Sequence, residues 1–177
     1  MPGLRSILLS STAALVSLAA TAHADEVEAE ASSAPAWTVQ VDPLTTVLGI
    51  AHVLVERRVS DHIAIYAGPS LKLYDNLLSD DETYRAVGVE FGARWFFSGT
   101  APAGWWAGGR ATIASVSHDD ESRVGGYISA LGGYAWIIED RWVLSGALGV
   151  SYFDYSAGGV GVDGVLPGAH TAFGVAF

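Results

Sequence analysis

The sequence predicts an all-β fold, an eight-stranded antiparallel transmembrane β-barrel preceded by an N-terminal signal peptide. Three observations predict it. From Trp37 to Phe177, runs of alternating bulky apolar and small or polar residues follow one another, the period of two needed by a strand between lipid and a barrel interior. The 177-residue chain is half hydrophobic, 11% aromatic and contains 21 glycines, a composition that suits alternating strands better than membrane helices. Finally, Gly168 to Phe177 puts Thr171, Phe173, Val175 and Phe177 on one face and His170, Ala172, Gly174 and Ala176 on the other, and stops on an aromatic.

Residues 1–24 read as the leader. Arg5 supplies a positive start, Ile7 to Ala20 is mostly apolar, and Ala22-His23-Ala24 fits a small-x-small cleavage site. The apolar run suits a cleaved segment and is too short for a stable span. Residues 25–36 are acidic, small and free of aromatics, which predicts a flexible periplasmic lead-in. Residues 37–177 then form one domain, the barrel.

The predicted strands are Trp37–Val47, Ile50–Val59, His62–Leu73, Tyr84–Phe97, Trp105–Val116, Val124–Ile138, Trp142–Tyr155 and Gly168–Phe177. Eight is even and the smallest common size for bacterial barrels. The connectors after strands two, four and six (Ser60-Asp61, Ser98 to Gly104, Glu139 to Arg141) are short. Those after strands three, five and seven (Tyr74 to Thr83, Ser117 to Arg123, Ser156 to Pro167) are mostly longer, acidic or glycine-rich. Short periplasmic turns and long outer loops put both termini in the periplasm. The first outer loop, near Leu48-Gly49, breaks the pattern by being short. Pro69 falls on a lipid-facing position, where its missing N–H calls for a bulge.

Aromatics follow the same alternation. Trp37, Trp95, Phe96, Phe97, Trp105, Trp106, Trp136, Trp142 and Phe177 fall at periplasmic strand ends, with Trp37, Trp95, Phe97, Trp105, Trp136 and Trp142 as the expected girdle. Tyr74, Tyr84, Tyr127, Tyr152, Phe153 and Tyr155 fall near the opposite rim. Charges follow the face. Asp42, Glu56, Arg58, Lys72, Glu90, Arg94 and Arg110 all take inward positions, and so predict an interior polar network. An eight-stranded barrel encloses room for side chains and little else, so these charges should pair with one another.

Other chemistry finds little support. Without cysteine the chain can form no disulfide, thiol nucleophile or lipidated N-terminal cysteine. Nine Lys/Arg against nineteen Asp/Glu, eight against nineteen once Arg5 leaves with the leader, argue against nucleic acid as a partner. Ser117-His118-Asp119 has the residue types of a triad, but neighbours on a turn point apart and cannot make its contacts locally. A G-x-S-x-G elbow is missing. The acids at Asp75, Asp80, Asp81 and Glu82, and those beside His118, lack EF-hand spacing. The glycines at 158–164 open no helix, so they predict an outer loop and not a phosphate cradle. His52, His62 and His170 read as satisfied interior or rim groups. No metal and no cofactor is expected.

These features together resemble the small OmpA/OmpX-type outer-membrane barrels, and outer-membrane β-barrel families of unknown function in Gram-negative bacteria. The segments Val41-Asp42-Pro43-Leu44 and Val53 to Val59 are similar to the opening hairpin of one such family. The resemblance implies an integral outer-membrane protein, non-enzymatic and monomeric, in contact with outer-membrane lipids including lipopolysaccharide. It also implies that Phe173, Val175 and Phe177 carry the signal read by the barrel-assembly machinery. Two alternatives are an outer-membrane lipid-modifying hydrolase or acyltransferase, using Ser117 or Ser151 beside His118 or His170, and a narrow pore.

Overall fold

Alternation of apolar and small or polar residues produces strands throughout. The computed structural model describes residues 35–47, 49–72, 85–118, 121–157 and 160–177, with the backbone alone of Val160. The strands are β1 (Trp37–Val41), β2 (Ile50–Ser60), β3 (Ile63–Lys72), β4 (Arg85–Phe96), β5 (Gly104–His118), β6 (Glu121–Ile138), β7 (Trp142–Ala157) and β8 (Val160–Ala176). They close into one antiparallel barrel in sequence order, β8 returning to β1. Hence the predicted count, order and all-β class describe the structure. The predicted leader, lead-in residues 25–34, and the loop Tyr74–Thr83 with Tyr84 lie outside the described residues. Ala36, the end of the predicted lead-in, already belongs to the barrel: its N–H donates to Phe177 O at 3.1 Å and its carbonyl accepts from Arg58 N–H at 2.9 Å.

Register fixes the geometry. Pairing leads from Val39 through Val55, Ala67, Phe91, Ala111, Ile128 and Tyr152 to Val165, ten residues from Val175, which pairs with Val39 directly. A stagger of ten over eight strands tilts them by roughly 40° to the axis, the range for barrels filled by their own side chains.

Four predictions about the elements need correction. The first strand ends at Val41 and not at Val47, because Asp42-Pro43 starts a helical turn, α1 (Pro43–Val47). Asp42 Oδ1 accepts the N–H groups of Leu44 (3.1 Å) and Thr45 (3.2 Å), and proline suits the first helical position. Second, the expected outer loops 117–123 and 156–167 are largely strand. Pairing runs out to His118↔Glu121 and Ala157↔Val160, and residues 119–120 and 158–159 lie outside the described residues. Glycine and proline hid a continuing alternation there, and Gly161 and Gly164 take φ of 124° and 102° within it. Third, Pro69 causes no bulge. The β2–β3 ladder skips the pairs at Gly68 and Pro69 and resumes in the same register, while the register shift falls at Arg58/Ser60.

The fourth concerns faces at the rims. Phe96 and Trp106 are buried inside, 0% and 2% exposed, and Tyr127 and Tyr155 likewise at 5% and 4%. Phe153 packs against that inner cluster. Adjacent residues on a strand point oppositely, so Trp106 turns in where Trp105 turns out. Of that rim, Tyr152 does point outward.

Candidate functional site: the buried polar interior

Because side chains alternate, each strand contributes an inward series. On β4 it runs Phe96, Arg94, Glu90, Ala86, and on β5 Trp106, Arg110, Thr112, Ala114, Val116, starting from the end that carries the termini. The order is apolar, polar, apolar, and it recurs on β6 as Ala135, Ser129, Tyr127. One apolar layer closes the termini end around Ala64, Phe96, Ala101, Trp106 and Leu131. A second, around Ala86, Val116, Tyr127 and Tyr155, closes the far end.

Between them lies the polar layer. Asp42, Glu56, Glu90, Arg94 and Arg110 are all at most 6% exposed, three acids against two bases, while Lys72, 4% exposed, points inward opposite Ala86 of the far apolar layer. Arg58, predicted with them, is half-buried near the termini end and outside this layer.

Two clusters join at His170. In the first, Arg94 Nη1 lies 3.0 Å from Glu56 Oε2, and Gln40 Nε2 donates to Glu56 Oε1 at 3.3 Å. The Arg94 guanidinium lies between the rings of Tyr66 (5.1 Å) and Trp106 (4.7 Å), a desolvated cation–π arrangement. Gly92 makes room for it: a Cβ there would stand 2.5 Å from the Tyr66 ring. In the second cluster Glu90 accepts from Tyr127 OH and from Thr112 Oγ1 (3.2 Å). His52 Nδ1 lies 3.4 Å from Glu90 Oε2, and Arg110 Nη1 lies 3.8 Å from both Glu90 Oε1 and Asp42 Oδ2.

His170 accepts at Nε2 from Arg94 Nη2–H (2.9 Å), so its proton sits on Nδ1 and is donated to Asp42 Oδ2 at 3.0 Å. The ring is thus a neutral bridge from Arg94 to Asp42. An Asp–His pair has the residue types of a hydrolase, but Nε2, the atom that would take a serine proton, is held by arginine. Ser151, one of the two proposed serines, is hydrogen-bonded to Ser129, Oγ to Oγ at 2.7 Å. His62 stands apart at the β2–β3 turn, with Nδ1 3.1 Å from Phe96 O.

Asp42 has a further duty. Its Oδ1 caps α1 and accepts from Thr171 Oγ1–H at 2.7 Å, while Leu44 N–H donates to Thr171 Oγ1 at 3.0 Å. Thr171→Val keeps the shape and loses both bonds. The expected cost is about 1–2 kcal/mol, read as a lower urea midpoint.

The outward side chains at the termini end are aromatic. Trp95, Phe97, Trp105, Trp136 and Trp142 are exposed and Trp37 half-buried. Tyr134 joins them, 5.2 Å from Trp105 and 4.6 Å from Trp136. It went unremarked in the sequence although it shares a face with Trp136. Phe173 stacks on Trp142 at 5.9 Å, and Phe177 is exposed beside Val175, which is half-buried. Among the described residues no cluster of three or more His, Cys, Asp or Glu could hold a metal. Comparison with protein families, with curated proteins and with solved structures finds no match to this chain.

Proposed function

We propose that this chain is a non-enzymatic integral protein of a bacterial outer membrane, sealed by its own interior side chains and offering its outer end for structural or surface-interaction roles. One observation carries the reading, the inversion of the usual distribution. Val87, Val89, Phe91, Ile113 and Ile128 face outward at 44–60% exposure, while the six buried charges face inward. Water outside would favour the reverse, whereas hydrocarbon outside requires this.

The outward aromatics at the termini end fit a periplasmic interface girdle, with the termini in the periplasm. Lipids, lipopolysaccharide among them, are the partners such a face implies. Phe173, Val175 and Phe177 present an outward C-terminal signal for the barrel-assembly machinery, and the protein acts as a monomer. The two apolar layers support a closed lumen over the narrow-pore alternative. The lipid-modifying alternative requires Arg94 to leave His170 Nε2.

Refolding residues 25–177 into detergent and comparing boiled with unboiled gel mobility tests the reading. The expected result is a heat-dependent shift with β-rich circular dichroism, no step conductance in planar bilayers and no release of fatty acid from lipopolysaccharide. Good solubility without detergent and no shift would overturn the membrane assignment. Step conductance would establish the pore instead.

A further inference from the structure

Most described glycines of the strands are forced by the fold. A Cβ on Gly133 or Gly149 would stand 2.1 or 1.9 Å from a backbone oxygen of the neighbouring strand. Gly132 and Gly146 are not forced. Apart from its chain neighbours, a Cβ on Gly132 would meet only Trp106 O, at 3.8 Å, and one on Gly146 would meet nothing within 4 Å, with φ outside the left-handed region at both. Glycine weakens the interior of a strand, and often marks the close approach of a ligand or of another backbone.

Both glycines face outward. Gly132 pairs with Leu148, which is 73% exposed, and Gly146 pairs with Tyr134 and Thr171. With Ala169 and Thr171 they floor a concavity of about 480 Å³ in the outer wall. Trp105, Tyr134 and Trp136 wall it on one side, Leu44 of α1 borders it beyond β8, and Leu148 closes the end away from the termini. The concavity therefore starts where the aromatic girdle stops.

Shape and chemistry select the occupant. The hydroxyl on the floor, that of Thr171, is already engaged, donating to Asp42 Oδ1 and accepting from Leu44 N–H, so a sugar would find little to bond. The floor reaches about 13 Å along β7, from Leu144 to Leu148, and about 10 Å across, from Tyr134 on β6 to Thr171 on β8. A single acyl chain needs neither that width nor a flat base, because it bends to fit side chains such as Val89, Phe91 and Ile113, which face outward elsewhere. A rigid ring system cannot bend, and gains contact only where the wall is flat.

We propose that this concavity binds the flat face of a fused-ring terpenoid lipid. Its rings lie on Gly132, Gly146 and Ala169, its edges meet Tyr134, Trp136 and Leu44, and its polar end points to the girdle. This inference rests on the membrane reading above, since only a bilayer would present such a ligand to an outward wall.

Photolabelling of the refolded protein in dioleoylphosphatidylcholine vesicles tests it, with two probes: cholesterol carrying a diazirine on its rings, and phosphatidylcholine carrying one on an acyl chain. Mass spectrometry of the labelled peptides is expected to place the sterol label between residues 132 and 148 and at 169–171, displaced by unlabelled cholesterol, and to spread the phospholipid label over the whole wall. Gly146→Leu fills the floor and is expected to keep the heat-dependent gel shift, to weaken sterol labelling there about tenfold and to leave phospholipid labelling elsewhere unchanged. Gly132→Leu, equally free of neighbours, is the second variant should the first fail to fold. Sterol label spread as widely as the phospholipid label, or unchanged by the leucine, overturns the site and leaves the membrane reading standing. A concavity shielded from both labels, in a protein that sediments as a dimer until Gly146→Leu is introduced, overturns it in favour of a second copy. Phospholipid label nowhere on the wall overturns both readings.

Discussion

Replacing Arg94 with alanine is expected to lower the stability of the barrel by about 3–5 kcal/mol, because it removes one partner of a buried ion pair and leaves the other charged. Arg94 holds Glu56 at 3.0 Å and His170 at 2.9 Å, and fills the space between Tyr66 and Trp106. After the substitution Glu56, 1% exposed, keeps only the 3.3 Å bond from Gln40 among its hydrogen bonds. The paired variant Arg94→Met/Glu56→Leu removes both charges at similar volume. It is expected to recover most of the loss, since buried pairs exchanged for apolar side chains are often neutral in stability. Urea titration of the refolded protein, with gel mobility reporting the folded fraction, measures both. An alanine variant within 0.5 kcal/mol of the parent would mean the layer is hydrated and the charges screened, contrary to a sealed lumen.

The expected ordering of these two variants illustrates what the sequence could and could not reveal. Inward placement of Glu56, Lys72, Glu90, Arg94 and Arg110 was legible, because a period of two assigns faces from local sequence alone. Which acid meets which base was not. Arg94 and His170 are 76 residues apart, and their meeting depends on a stagger of ten that only the summed pairing of all eight strands fixes. His170 therefore read as an isolated histidine although it joins both halves of the layer.

The missed helical turn at Pro43–Val47 had a local signal. Asp42-Pro43 opening the run Asp-Pro-Leu-Thr-Thr fits a helix start, and Thr45 and Thr46 hydroxyls both donate to the Asp42 carbonyl, at 3.2 and 2.7 Å. The apolar residues Val41, Leu44 and Val47 hid it by mimicking a strand. At the other end of the chain the error ran the opposite way. Glycines and Pro167 suggested a loop, but Val162, Val165 and Leu166 stay paired to β7, and Pro167 has no ladder partner on the β1 side among the described residues, a position where proline is tolerated. Both departures fall at one seam, between the first and last strands. The alternation rule weakens there because one strand is five residues long and its neighbour seventeen.

A charge placed midway along the outer wall separates lipid from water more sharply than any interior change. Val89 lies on β4 between Pro69 and Ile113, faces outward and is 52% exposed. If hydrocarbon surrounds this wall, Val89→Arg should cost about 2–4 kcal/mol, and Val124→Arg, near the far end of β6, about 0–1 kcal/mol. Val124 is the more exposed of the two at 73%, so exposure alone cannot produce that ranking. Depth in a bilayer can. In water both positions are ordinary surface, where substitutions stay within about 0.5 kcal/mol. Urea titration of the two variants refolded into phosphatidylcholine vesicles gives the comparison directly. A gap of more than about 1 kcal/mol in the stated direction supports a membrane-embedded wall. Equal, small costs would return the protein to an aqueous setting and with it the inverted distribution of charge would need another cause.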